Sequence, residues 1–192
     1  MGRVVLVARS RVGRVLHGSR MLLFALAVVA GGCRPAERAA TSGGFVVSDS
    51  GGGPLHIDMT LVQASVALGA PVPDTTRQDR ACAYYAFAGL PAGVKLMWVD
   101  GRLARLEVDS GATATAAGAR VGDSEPRIDS LYGSGVTVQP HKYVANAKYL
   151  VIGAGGGSDA QRRIVFETDS AGRVTRYRAG REPEVQWVEG CA

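Results

Sequence analysis

Lys95-Leu96-Met97-Trp98-Val99-Asp100-Gly101-Arg102-Leu103-Ala104-Arg105-Leu106-Glu107-Val108 consists of two strand-like runs joined by an Asp-Gly step. Asp-Gly supplies the positive-φ residues that a two-residue hairpin turn demands, so this stretch predicts a β-hairpin. The same form recurs downstream. Arg163-Ile164-Val165-Phe166-Glu167-Thr168 passes through Asp169-Ser170-Ala171-Gly172 into Arg173-Val174-Thr175-Arg176-Tyr177-Arg178, with a turn two residues longer. Apolar runs at Cys82 to Ala86, Tyr149 to Ile152 and Glu184 to Val188 predict further strands.

Upstream of each hairpin lies a helix signal. Ile57 to Gly69 aligns without gaps, 64 residues on, with Val121 to Gly133. Each segment has Thr60 or Ser124 placed as N-cap and Gly69 or Gly133 suited to end a helix. Thr60 with Gln63 forms a capping box, and Pro126 sits in the first turn, where proline is tolerated. Helices this short must pack on something to persist. The expected fold class is α+β: two tandem helix plus antiparallel β-meander repeats, about residues 55–110 and 119–180, with a C-terminal strand, forming one globular domain over residues 55–192.

The rest of the chain reads as an address and a tether. The net charge of the 192 residues is +5, yet five of the 22 basic residues and none of the 17 acidic ones lie in residues 1–32. From Cys33 onward the chain is formally neutral, which removes the main support for binding nucleic acid. Met21 to Ala30 is an apolar run that covers about 15 Å as a helix, half of a bilayer core of ~30 Å. A basic stretch, a short apolar run and small residues describe a signal peptide over residues 1–32. Residues 34–54 are rich in Gly, Ser, Ala and Pro and predict a flexible tether of roughly 25 Å.

Ala30-Gly31-Gly32-Cys33 resembles the lipobox of bacterial lipoproteins. The resemblance implies cleavage before Cys33, acylation of that cysteine and membrane attachment through its lipid without a transmembrane helix. Arg34, standing where an aspartate would retain such proteins at the inner membrane, implies sorting to the outer membrane, with the domain in the periplasm or at the cell surface. Ala30 departs from the usual leucine, and the basic stretch is longer than is common. The helix-then-meander pattern resembles small outer-membrane-assembly lipoproteins of the BamE type and, in tandem, the β-lactamase-inhibitor-protein fold. The run Tyr177 to Cys191 lies outside those patterns and looks like the mark of a separate lipoprotein group, so no functional residue carries over.

Of three cysteines, Cys82 and Cys191 remain once Cys33 is assigned to lipid. In an exported protein the economical pairing is a disulfide between them, closing a loop of about 110 residues. A metal site draws little support from two distant cysteines without a CxxC spacing, and free thiols are the other alternative.

Candidate sites are few. Tyr149 to Ser158 has the strand and glycines of a dinucleotide fingerprint, but Ser158 replaces the third glycine and a strand follows where a helix N-terminus is needed; neither nucleotide nor any other cofactor is expected. Arg105 and Arg176 occupy equivalent hairpin positions, and Arg176 shares a face with Arg178. They form either an anion- or protein-binding patch or a solvated face with cross-strand ion pairs. His141 reads as a polar edge-strand residue or an exposed pH-sensitive group, with Tyr143 beside it. Tyr84, Tyr85, Tyr177 and Trp187 divide between core and binding surface, and Trp98 belongs in the core. No catalytic set emerges. The expected function is a non-catalytic binding or assembly module with a protein partner in the cell envelope. Inhibition of a periplasmic hydrolase of lysozyme or β-lactamase type is an alternative, and a polymer hydrolase using Glu167 and Asp169 is a second.

Overall fold

A computed structural model describes residues 44–76, 81–153 and 161–192. The signal peptide, Cys33, residues 34–43 of the tether and the glycines after Gly153 lie outside the described residues. The strands are β1 (Val46–Ser48), β2 (Gly51–Gly52), β3 (Leu55–His56), β4 (Cys82–Tyr84), β5 (Val94–Val99), β6 (Arg102–Val108), β7 (Ala114–Thr115), β8 (Val136–Pro140), β9 (Lys148–Gly153), β10 (Arg162–Thr168) and β11 (Val174–Arg181). Two helices of eight residues accompany them, α1 (Leu61–Leu68) and α2 (Glu125–Tyr132).

The strands form a four-stranded sheet in the order β3-β2-β1-β7 and a seven-stranded sheet in the order β4-β5-β6-β11-β10-β9-β8. This corrects the α+β expectation of two tandem helix-plus-meander repeats: the described fold is mostly β, with two short helices and two sheets. The segments that looked equivalent contribute three and four strands to one continuous sheet, joined where β6 pairs with β11. Helix signals are local, whereas the sheets are assembled by pairings between distant segments, such as the parallel pairing of β1 with β7.

Two further expectations are corrected. The tether does not extend to residue 54, because β1 and β2 lie inside the fold with Val47 and Gly51–Gly52 buried. Glu184 to Val188 is not a strand: Glu184–Gln186 forms a 3-10 turn.

Local chemistry acts as read elsewhere. Asp100 and Gly101 take φ of 50° and 73°, turning β5 into β6. Thr60 N–H donates to Gln63 Oε1 at 2.8 Å and Gln63 N–H to Thr60 Oγ1 at 3.3 Å, closing the capping box of α1. Gly69 ends that helix at φ 62°.

The two faces of the large sheet differ. One carries Leu96, Trp98, Leu106, Leu150, Phe166 and Tyr177 into the main core, against Ile128 of α2, Ala64 of α1, and Val47 and Leu55 of the small sheet. The other carries two small apolar clusters, Met97, Val99 and Ala104 at one end and Tyr149, Val151 and Val165 at the other. Between them lie charges.

Candidate functional site

Charged residues reach the second face for reasons of register. On β6 the pairing shifts from Met97 opposite Arg105 to Trp98 opposite Leu103, leaving Ala104 as the extra residue of a bulge. Leu103 and Leu106 then point into the main core, while Ala104 and Arg105 both turn to the opposite face. Arg178 sits opposite Glu107, and Glu167 opposite Arg176, so acids and bases are adjacent across strands. Gly180 stands opposite Arg105, and a methyl group there would run into the Ala104 carbonyl and the Arg105 backbone.

Arg105 is 1% exposed. Its Nε donates to Glu107 Oε1 at 2.7 Å, and Nη2 donates to the same oxygen and to the Tyr84 hydroxyl at 3.0 Å. Nη1 donates to the carbonyls of Glu184 and Trp187 at 2.7 and 2.6 Å. Arg178 Nε donates to the Val185 carbonyl at 2.9 Å. The segment from Glu184 to Trp187 therefore crosses the sheet as a strap whose backbone carbonyls are held by two buried guanidinium groups. Beyond it, Cys191 is joined to Cys82 of β4 by the expected disulfide.

Glu167 centres the other half. Arg176 grips it with Nε to Oε2 at 2.9 Å and Nη2 to Oε1 at 2.8 Å, a bidentate pair, and Arg178 Nη1 adds a contact at 3.4 Å. His141 Nε2 lies 2.9 Å from Glu167 Oε1. Its Nδ1 accepts the backbone N–H groups of Tyr143 and Val144, both at 3.0 Å, which assigns the proton to Nε2. The imidazole stacks on Tyr149 with ring centroids 4.6 Å apart.

Burial pushes the Glu167 carboxyl up, but hydrogen bonds from Arg176 and His141, with the charges of Arg176 and Arg178, hold it below its ordinary value. Burial and Glu107 together raise the Tyr84 hydroxyl to about 12. Burial and the neighbouring Arg105 lower Arg178.

The expected surface residues thus divide. Arg105 and Arg176 are not a matched solvated pair: Arg105 is sealed beneath the strap, while the Arg176 side chain is 42% exposed. Arg176 and Arg178 share a face, as the alternation predicted, and there both contact the Glu167 carboxylate. His141 lies just past β8, and its side chain is 5% exposed, so the ring is not on the open surface. Tyr143 is exposed, with its hydroxyl on Glu189. Trp98 is in the core.

Glu107, Tyr149 and the strap carbonyls escaped the sequence reading. The available signal was the i, i+2 spacing of Arg105 with Glu107 and of Arg176 with Arg178, which puts charge on one face of strands otherwise rich in apolar residues.

Glu167 and Asp169 do not form an acid and base pair. Every oxygen of Glu167 is engaged by a cation or a ring N–H, and Asp169 Oδ1 accepts Ala171 and Arg173 N–H groups, both at 2.9 Å, inside its turn. A cleft of about 610 Å³ opens beside the strap, lined by Lys142 and by residues from Gln186 to Ala192. No helix among the described residues is long and apolar enough to cross a membrane.

No family model matches the chain, and no curated protein matches it. Among solved structures the chain is similar to a DUF4309 family protein (YjgB) from Bacillus subtilis subsp. subtilis str. 168, at 12% identity and a TM-score of 0.42, over 72% of this chain and 88% of that one.

Proposed function

We propose that the chain is an exported, lipid-anchored cell-envelope protein whose β-rich domain is a non-catalytic binding or assembly module for a protein partner. The observation that supports this most is the Cys82–Cys191 disulfide pinning the strap to the sheet edge. Such bonds persist in oxidising compartments, in keeping with the export signal read at the N-terminus. The charged residues support a scaffold role as well. Arg105, Glu107, Glu167 and Arg178 use their hydrogen-bonding groups on one another and on the strap, which stabilises one covered face and leaves binding to the outer surface.

In cells fed labelled palmitate, the full chain is expected to take up label and fractionate with the outer membrane, and Cys33→Ser to lose both. Crosslinking in intact envelopes is expected to recover one protein partner reproducibly. An unlabelled wild-type chain overturns the anchor, and envelopes that yield no partner overturn the module.

A further inference from the structure

β8 ends the seven-stranded sheet, and Thr137, Val138, Gln139 and Pro140 are all exposed, Val138 by 56%. The strand carries no charge, although open sheet edges are commonly blunted by charges, bulges or a covering element. Which backbone groups lie free follows from register. β8 pairs with β9 so that Thr137 faces Val151, Val138 faces Leu150 and Pro140 faces Lys148. In an antiparallel pair, alternate positions exchange hydrogen bonds and the positions between them turn N–H and C=O outward.

Three contacts fix the phase. His141 N–H donates to the Ala147 carbonyl at 3.0 Å, extending the bonded set to that pair. Lys148 N–H donates to Thr168 Oγ1 at 3.0 Å, on the β10 side and away from Pro140. Val136 N–H turns back to the Gly133 carbonyl. Thr137 and Gln139 therefore bond to β9, while Val136, Val138 and Pro140 face outward. Proline has no N–H, and that of Val136 is taken. The open edge thus presents one N–H, from Val138, and three carbonyls, from Val136, Val138 and Pro140.

Side chains add a second preference. Val136 packs against the main core, where its cross-strand neighbour Ile152 and the neighbour of Val138, Leu150, are buried. Val138 shares that face yet stays exposed, so the apolar layer stops one strand short of closure.

We propose that β8 is a strand-addition site for an extended segment of another polypeptide, one that donates three backbone N–H groups, accepts one, and lays an apolar side chain over Val138. A second copy of the chain satisfies this badly. Paired with itself about Val138, β8 makes only the two bonds of that residue, because neither Val136 nor Pro140 has an N–H to offer; a foreign strand makes four. This deepens the binding-module reading and rests on it.

The test pans the full chain in detergent against phage-displayed random dodecapeptides and resynthesises the peptides selected. Bound peptides are expected to alternate apolar and polar residues and to slow hydrogen exchange at the Val138 amide. Val138→Pro, which removes the single free donor and spares the bonds to β9, is expected to weaken binding by about tenfold or more. N-methylating alternate peptide residues is expected to do the same on the unaltered protein, and methylating the intervening ones to leave affinity unchanged. The proposal is overturned by failure to select any peptide, by binders that ignore both changes, or by self-association of the chain that Val138→Pro abolishes. Recovery of an envelope partner crosslinked elsewhere, with Val138 exchange unchanged, overturns the edge site and leaves the binding-module reading standing.

Discussion

Phe166 and Glu167 are neighbours on β10, and both are buried, but they face opposite sides of the sheet and are held by different physics. Phe166 lies between Tyr132 and Tyr177, at centroid distances of 5.7 and 5.5 Å, in a core of undirected apolar contact. Glu167 lies among Arg176, Arg178 and His141, under a strap that directed hydrogen bonds and a disulfide hold down. Burial by area responds to lost volume and little else. Burial by paired charge responds to pH, to redox state and to the removal of either partner. One sheet therefore has a face indifferent to solution conditions and a face that depends on them.

The largest expected effects lie at the centre of each face. Phe166→Ala is expected to cost about 3–5 kcal/mol in chemical denaturation, with the same loss at acidic and neutral pH and with or without reductant. Arg105→Met is expected to cost a similar 3–5 kcal/mol, because it strands the Glu107 carboxylate and the Glu184 and Trp187 carbonyls. Adding Glu107→Leu recovers part of that loss, whereas no second charge change helps Phe166→Ala. Full additivity of the two strap-face substitutions would break the comparison. Next in size is the disulfide: replacing Cys82 and Cys191 by serine is expected to cost about 2–5 kcal/mol. Hydrogen exchange then rises first in residues 184–191 and leaves the Phe166 face protected. Uniform loosening would show that the faces are not separable.

Legibility in the sequence followed the range of the interactions. The hairpin turn at Asp100–Gly101 and the Thr60–Gln63 box were readable, because each is settled by a few consecutive residues. The small sheet was not. Gly51–Gly52 has no side chains to alternate, Ala114–Thr115 is two residues long, and β1 meets β7 with Val46 opposite Ala114, far along the chain. The repeat reading failed for the same reason: similar local signals at α1 and α2 said nothing about three strands and four merging at Arg105 and Gly180. Val185, Trp187 and Val188 have the composition of a strand, but the carbonyls of Glu184, Val185 and Trp187 are captured by arginines about 80 and 7 residues away in sequence. The cysteine pairing was legible by count, and it was the one sign in the sequence that the C-terminus returns to β4. Candidate arginines were visible from their alternation, and their burial was not, because the strap that covers them arrives from elsewhere.

Glu167→Gln is the smallest change and the most discriminating. It keeps the shape of the side chain and removes the charge that Arg176 and Arg178 face, at an expected cost of about 1–3 kcal/mol at neutral pH. The folded protein holds the Glu167 carboxyl below its ordinary value of 4.5. A depressed carboxyl stabilises the fold fully above the unfolded value, and the contribution is lost as pH falls through the folded one. The wild type is thus expected to lose its advantage over Glu167→Gln only below about pH 4.5, the two denaturation curves converging as the carboxyl takes up the proton that glutamine mimics. Phe166→Ala, measured beside it, is expected to stay offset from the wild type by the same amount throughout. Convergence of the Phe166→Ala curve, or a Glu167→Gln offset that does not shrink in acid, would mean that the pairing around Glu167 is not what distinguishes the two faces of this sheet.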